Sequence, residues 1–246
     1  MSPRVAARPY WERKLDRPGG ADACYRPFDE VVGEIGIGQG QVALDLGSGE
    51  GRWLPAVAAR FEKVYAIEPD AQIRQRLAAL VAGHDGLRGS TTVLDGRAES
   101  LNFPAASFDA VFCKNTFQYL DQPVALREIF RVLKPGGYLF INSNAIGYYL
   151  MQAGLGIRFL SGAKLMYGLK GLVGTLLSDW TGRRLVGQRY SSIPRTVRQL
   201  HQAGFTVVRA EPWLDHDLFP LRFAGSLTHF AILGMKPGRS HPAQGA

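Results

Sequence analysis

The sequence predicts a layered α/β fold around a mostly parallel sheet, on three observations. Short apolar runs recur at 42–46 (VALDL), 64–67 (VYAI), 109–113 (DAVFC) and 138–142 (YLFIN). Stretches of helical period separate them. The runs do not alternate apolar with polar, which fits strands covered on both faces. Strands of four to six residues alternating with helices of ten or more argue for right-handed crossovers.

The elements follow in chain order. The run 42–46 ends at Gly47, where the chain leaves the sheet. Ile73, Leu77, Leu80 and Val81 then fall on one helical face, and Leu126, Ile129, Phe130 and Leu133 on another. The second helix meets Lys134-Pro135-Gly136-Gly137, a stop and turn signal. Residues 146–193 break the alternation and are glycine-rich, apolar and basic. A helix over 194–203 follows, then a strand at 205–208 and a last strand over 226–234. The 211–225 connection has no clear helical period, so these two strands read as a hairpin and the last one is predicted antiparallel. This divides the chain into 1–40, a core at 41–145, the segment 146–193, a helix and hairpin at 194–236, and a loose tail at 237–246.

Composition narrows the class. At 246 residues, 46% apolar and 20% charged, the chain can bury a full core. Two cysteines, Cys24 and Cys113, exclude a disulfide scaffold and suit a reducing, cytoplasmic compartment. No apolar run precedes the charges of the N-terminus, so no secretory signal is expected. No His/Cys cluster has metal-ligand spacing, so no metal is expected. Net charge is +8, and its placement matters more than its size. Residues 146–210 hold nine basic side chains against one acid, Asp179, while the other segments each balance to zero.

Leu44-Asp45-Leu46-Gly47-Ser48-Gly49-Glu50-Gly51 joins a predicted strand to a predicted helix. Glycines allow a tight turn and let a ligand approach backbone amides. Glu68 lies 21 residues after Gly47, at the end of the next strand, a spacing that suits a carboxylate accepting ribose hydroxyls. A dinucleotide site needs a third glycine where Arg52 stands. An acid at Asp45 repels a pyrophosphate and suits a ligand with an ammonium group. S-adenosylmethionine has an ammonium, a carboxylate, a sulfonium and a ribose, and no phosphate. A turn that serves packing alone is the plain alternative; Asp45 before it and Glu68 after it favour the ligand.

These residues resemble the class I S-adenosylmethionine-dependent methyltransferases of the type 11 group. The resemblance covers about residues 40–143 and rests on VALDLGSGEGRW, VYAIEPD, GRAESLNFPAASFDAVFCKNTFQYLDQP and REIFRVLKPGGYLFI. It implies a Rossmann-like, seven-stranded sheet with helices on both faces and a helical cap insertion. It also implies site roles. Gly47, Ser48 and Gly49 would wrap the methionine end with backbone amides, and Asp45 would hold the ammonium. Glu68 would accept the ribose hydroxyls and Pro69 would flank the adenine. Arg97 and Ala98 occupy the segment that meets the adenine edge; many relatives carry Asp where Arg97 stands, so the backbone at Ala98 or Glu99 is the substitute. Lys114 stands where relatives often have Ser or Asn, and its head is expected to point away from the sulfonium. In this fold an N-terminal helix often covers the cofactor, which gives residues 1–40 a capping role, with Tyr10, Trp11 and Tyr25 either closing the site or anchoring that helix.

The acceptor is less legible. Methyl transfer is an in-line displacement whose rate comes largely from positioning, and a base is needed only if the acceptor must lose a proton early. Tyr119 stands where relatives often carry His. Tyr119 and His216, the latter between Asp215 and Asp217, are the candidate catalytic residues, with His229 a further one. Each has a plainer reading, as a packed ring or a solvated loop. Residues 146–193 would form a lid over the acceptor. Three readings rank in order: a cap over a small acceptor, a cap that also contacts a membrane interface, and an RNA surface. The expected function is methylation of a hydroxyl or amine of a small or amphipathic molecule, anionic or lipid-linked molecules included. The alternatives are an RNA methyltransferase and a non-catalytic interaction subunit.

Overall fold

The computed structural model describes residues 39–181, 187–213 and 220–238. Its core runs β1 (Gly40–Leu46), α1 (Leu54–Ala58), β2 (Phe61–Ile67), α2 (Ala71–Gly83), β3 (Thr91–Leu94), β4 (Phe108–Lys114), α3 (Gln122–Val132) and β5 (Leu133–Asn144). Then come α4 (Ile146–Arg158), α5 (Gly162–Thr181), α6 (Ile193–Gln202), β6 (Thr206–Pro212), the short strands β7 (Arg222–Phe223) and β8 (Ser226–Leu227), and β9 (His229–Met235).

Seven strands form one sheet in the order β3-β2-β1-β4-β5-β9-β6. The pairs from β3 to β5 are parallel, and β9 runs antiparallel to both β5 and β6. The predicted hairpin is therefore present, with β9 inserted between β5 and β6. Two things differ from expectation. Thr91–Leu94 is a strand that no apolar run announces, because it is the edge strand of the sheet, with Thr91 partly buried and Thr92 exposed. The Lys134–Gly137 turn signal falls inside β5: Leu133 already pairs with Phe108, and Gly136 at φ +80° donates its amide to Lys236 O at 2.8 Å. The helix does stop there, at Val132.

Both faces of the sheet are covered, as the unalternating runs require. Val111 and Cys113 of β4 face one cluster, with Leu126 and Ile129 of α3 and Leu200 of α6. Ala110 and Phe112 face the other, with Leu54 and Val57 of α1 and Leu77 and Val81 of α2. Trp53 stacks on Phe140 and meets Trp213 edge-on, sealing that second layer. Burying each large aromatic contributes on the order of 2–3 kcal/mol. The crossover helices α2 and α3 each start at an acid that caps them. Asp70 accepts from Gln72 N and Ile73 N, both at 2.9 Å, and Asp121 from Val124 N. These caps fix where the chain turns back, and so fix the loops at the carboxyl ends of the strands.

Candidate active site

A cavity of about 560 Å3 opens at the carboxyl ends of β1, β2 and β4, the crevice where open α/β sheets bind ligands. Gly47, Glu68 and Pro69 line one wall, Arg97, Ala98 and Glu99 the second, and Asn115, Thr116, Tyr119 and Leu120 the third.

Gly47 is held by its surroundings. Its φ is +67°, and an added Cβ would run into the Thr116 side chain, whose hydroxyl donates to Gly47 O at 3.2 Å. The turn is predicted to offer three bare amides. Here all three are donated inside the protein: Gly47 N and Ser48 N to Ile67 O at 2.8 and 3.0 Å, and Gly49 N to Glu68 Oε2 at 3.0 Å. These bonds tie the turn to the end of β2.

Glu68 is nearly buried, at 7% exposure. Oε2 accepts from Gly49 N and Oε1 from Asp70 N at 3.0 Å. An ionised carboxylate has about four lone-pair positions, so two backbone donors orient it and leave acceptor capacity toward the cavity. Arg74 of α2 pins the same turn, donating from Nη1 to Glu68 O, Pro69 O and Asp95 Oδ1. Arg74 was not singled out in the sequence, because its reach depends on the helix lying under this turn.

Asp45 is 5% exposed and lies in the charge field of both Lys114 and Glu68. Burial raises its pKa to about 6, against a Ser48 hydrogen bond and the Lys114 charge that lower it, with Glu68 adding a further rise. Lys114 does not line the cavity: its ammonium stands 4.6 Å from the Trp53 ring centroid. The next two residues, Asn115 and Thr116, line the cavity. Asn115 adopts φ +53°, a left-handed conformation that Asn tolerates better than most residues, and its buried Oδ1 has no hydrogen-bond partner in the protein. A buried acceptor left open at a cavity wall is costly. The sequence signal was present, an Asn just past a strand end.

Arg97 is exposed on the second wall and Ala98 is buried beneath it. Their loop is fastened from α3: Glu128 accepts from Leu101 N, and Arg131 donates to Leu101 O and Phe103 O. Tyr119 lines the third wall, and its hydroxyl lies 3.4 Å from that of Tyr167 on α5. His229 is buried with its ring 5.1 Å from Tyr148. Tyr10, Trp11, Tyr25 and His216 lie outside the described residues. Among the described residues no group of three or more His, Cys, Asp or Glu side chains is arranged to hold a metal.

Residues 44–141 match the methyltransferase domain family. The chain is 30% identical over 156 residues to a malonyl-[acyl-carrier protein] O-methyltransferase of Marinomonas sp., covering 60% of this chain and 57% of that one. It is 35% identical over 115 residues to a ubiquinone/menaquinone biosynthesis C-methyltransferase of Edwardsiella ictaluri, covering 43% of each. An S-adenosylmethionine-dependent methyltransferase from Aquifex aeolicus superposes with TM-score 0.60 at 22% identity, over 91% of this chain and 96% of that one. The match to the two curated relatives thus spans only about half of their length. The family match spans residues 44–141, about two fifths of the chain, and the Aquifex structure shares its fold.

The cavity fits S-adenosylmethionine, the cofactor that the resemblance implies, on its own chemistry. It offers acceptors, the Glu68 carboxylate and Asn115 Oδ1, to a molecule rich in donors, while Asp45 is buried behind the lining residues Leu46 and Gly47. Glu68→Ala is expected to weaken S-adenosylmethionine binding by about 1–3 kcal/mol, the loss of a charged hydrogen-bond acceptor. Isothermal titration would read this, and an unchanged affinity would remove Glu68 from the ribose.

Proposed function

We propose that the protein methylates a small amphipathic molecule on a hydroxyl or amine. In this reading Glu68 accepts the ribose hydroxyls, Asn115 accepts from the nucleoside or methionine end, and Asp45 pairs the ammonium. When bound, S-adenosylmethionine supplies an electrophilic methyl group.

One observation carries the choice of acceptor. Past Tyr119 the chain supplies aromatic rings with hydroxyls, set in otherwise apolar helices. Tyr149 and Tyr167 stack at 6.0 Å, and Tyr148 meets Tyr149, Tyr167 and His229 edge-on. Burial pushes the hydroxyls of Tyr149 and Tyr167 up, so both stay protonated at neutral pH. This cluster backs Tyr119, the ring that lines the cavity, and so presents an apolar or aromatic body with a ring face and its polar end with a hydroxyl. It does not supply a phenolate base from these two residues, so the proposal assigns Tyr119 and Tyr167 to orientation of the acceptor, with positioning as the main source of rate.

The resemblance to a quinone C-methyltransferase favours a second reading, in which the methyl goes to a carbon of an electron-rich ring. The same aromatic wall supports it. Release of S-adenosylhomocysteine across a panel of phenols, quinols, amines and acyl carboxylates tests both. The proposal expects turnover with amphipathic members and a kcat lowered about tenfold in Tyr119→Phe, with little change in cofactor affinity. Binding of the cofactor without turnover across the panel would instead favour a non-catalytic role. Turnover on RNA, with binding that weakens steeply as salt rises, would favour the nucleic-acid reading.

A further inference from the structure

Helix α5, packed against α4, is turned inside out. A helix that packs on a core sends its bulky apolar residues inward. On α5 the inward positions are Gly168, Gly171, Gly174 and Thr175, all buried. A Cβ at Gly168 would meet Ala153 N and Tyr149 O, and one at Gly171 would enter the Tyr149 ring. On α4, a Cβ at Gly156 would strike the backbone of Leu165. Small residues at a helix contact let backbones approach closely, the packing found where the surroundings are as apolar as the contact itself.

The bulky residues face out. Met166, Leu169, Val173, Leu176, Leu177 and Trp180 are all exposed, Leu176 at 60% and Trp180 at 85%. At about 100° per residue they fall within roughly 100° of one another on the helix. The stripe runs most of a 20-residue helix, a length of about 30 Å. Leu160, 94% exposed, adds to it at the α4–α5 turn.

Charge names the occupant. From Ile146 to Ser178 there is no acid, while Arg158, Lys164 and Lys170 are basic. Arg158 and Lys164 both approach the Phe159 ring at that turn. The first acid, Asp179, is held by Arg195 at 2.6 Å. No helix among the described residues is long and apolar enough to cross a membrane. A second copy of the chain would set these cations against themselves.

We propose that the outer face of α5 lies in the interface of an anionic membrane, its stripe at the acyl boundary and its cations among the headgroups. This goes beyond the proposed transfer chemistry and stands on α4 and α5 alone, so it is read without turnover.

The test is co-sedimentation of the full chain with phosphatidylcholine vesicles, with and without phosphatidylglycerol. The protein is expected to bind the anionic vesicles, less so as salt rises, with Trp180 fluorescence shifted to the blue. Leu176→Ser combined with Trp180→Ser should reduce partitioning at least about tenfold while leaving S-adenosylmethionine binding intact, which shows that the variant folds. Lys164→Glu combined with Lys170→Glu should abolish the preference for anionic vesicles. No partitioning by the wild type would overturn the proposal. So would a concentration-dependent dimer that the Leu176→Ser/Trp180→Ser variant dissolves, because a second copy would then own the stripe.

Discussion

Gly47→Ala is expected to destabilise the protein by about 2–5 kcal/mol and to damage cofactor binding with it. Two costs add. The left-handed backbone at φ +67° costs a residue with a Cβ about 1–2 kcal/mol. The new methyl group must also displace the Thr116 side chain, and overpacking costs about 1–3 kcal/mol. Thr116 lines the cavity and its hydroxyl holds the Gly47 carbonyl, so the displacement reaches the site. Gly49 is the internal control. Its φ is +56°, but nothing lies within 4 Å of an added Cβ. Gly49→Ala should therefore cost only the backbone share. Urea unfolding of the two variants separates the causes, and equal losses would show that the Thr116 contact is irrelevant.

The second large effect comes from Asp45. Burial lifts its pKa from 3.8 to about 6. At 1.36 kcal/mol per unit, ionising this group in the folded, ligand-free protein costs about 3 kcal/mol at neutral pH. The sign follows from linkage. A carboxylate with a raised folded pKa contributes its stability below about pH 4 and loses it as pH rises through 6. Ligand-free protein should thus gain stability from this group on mild acidification. Asp45→Asn should be the more stable form at pH 7, by up to about 3 kcal/mol, with the difference shrinking as pH falls toward 4. Cofactor binding should show the opposite trend. An ammonium placed against Asp45 selects the ionised form, so S-adenosylmethionine affinity should fall by up to about tenfold per unit below pH 6. In Asp45→Asn it should be weaker and nearly independent of pH. An affinity that stays level in the wild type from about pH 7 to pH 5 would place the ammonium elsewhere.

The parts of this site that a spacing encodes were legible in the sequence. Asp45, Gly47 and Glu68 sit at the ends of adjacent parallel strands, β1 and β2, where period and turn residues fix their place. The antiparallel β9 was legible for the same reason, from a connection too irregular for a crossover helix. What was missed depends on tertiary geometry. β3 is too short and too polar to show as an apolar run. Asn115 matters through a left-handed backbone that leaves its amide oxygen buried and open, and composition says nothing about that. Arg74 acts by reaching from α2 under the β2 turn. The amides of the glycine turn were read as ligand donors, whereas Ile67 O and the Glu68 carboxylate accept them here. The basic, glycine-rich stretch was visible, but only packing shows which of its faces the glycines occupy.

Calorimetric titration of the wild type with S-adenosylhomocysteine bears most directly on the placement of the cofactor, with Glu68→Ala and Asn115→Ala run beside it. Saturable one-to-one binding, weakened in both variants and absent for a nicotinamide dinucleotide, is the expected result. Binding that both substitutions leave untouched, or heat released only by the dinucleotide, would contradict a sulfonium nucleoside seated between β1, β2 and β4.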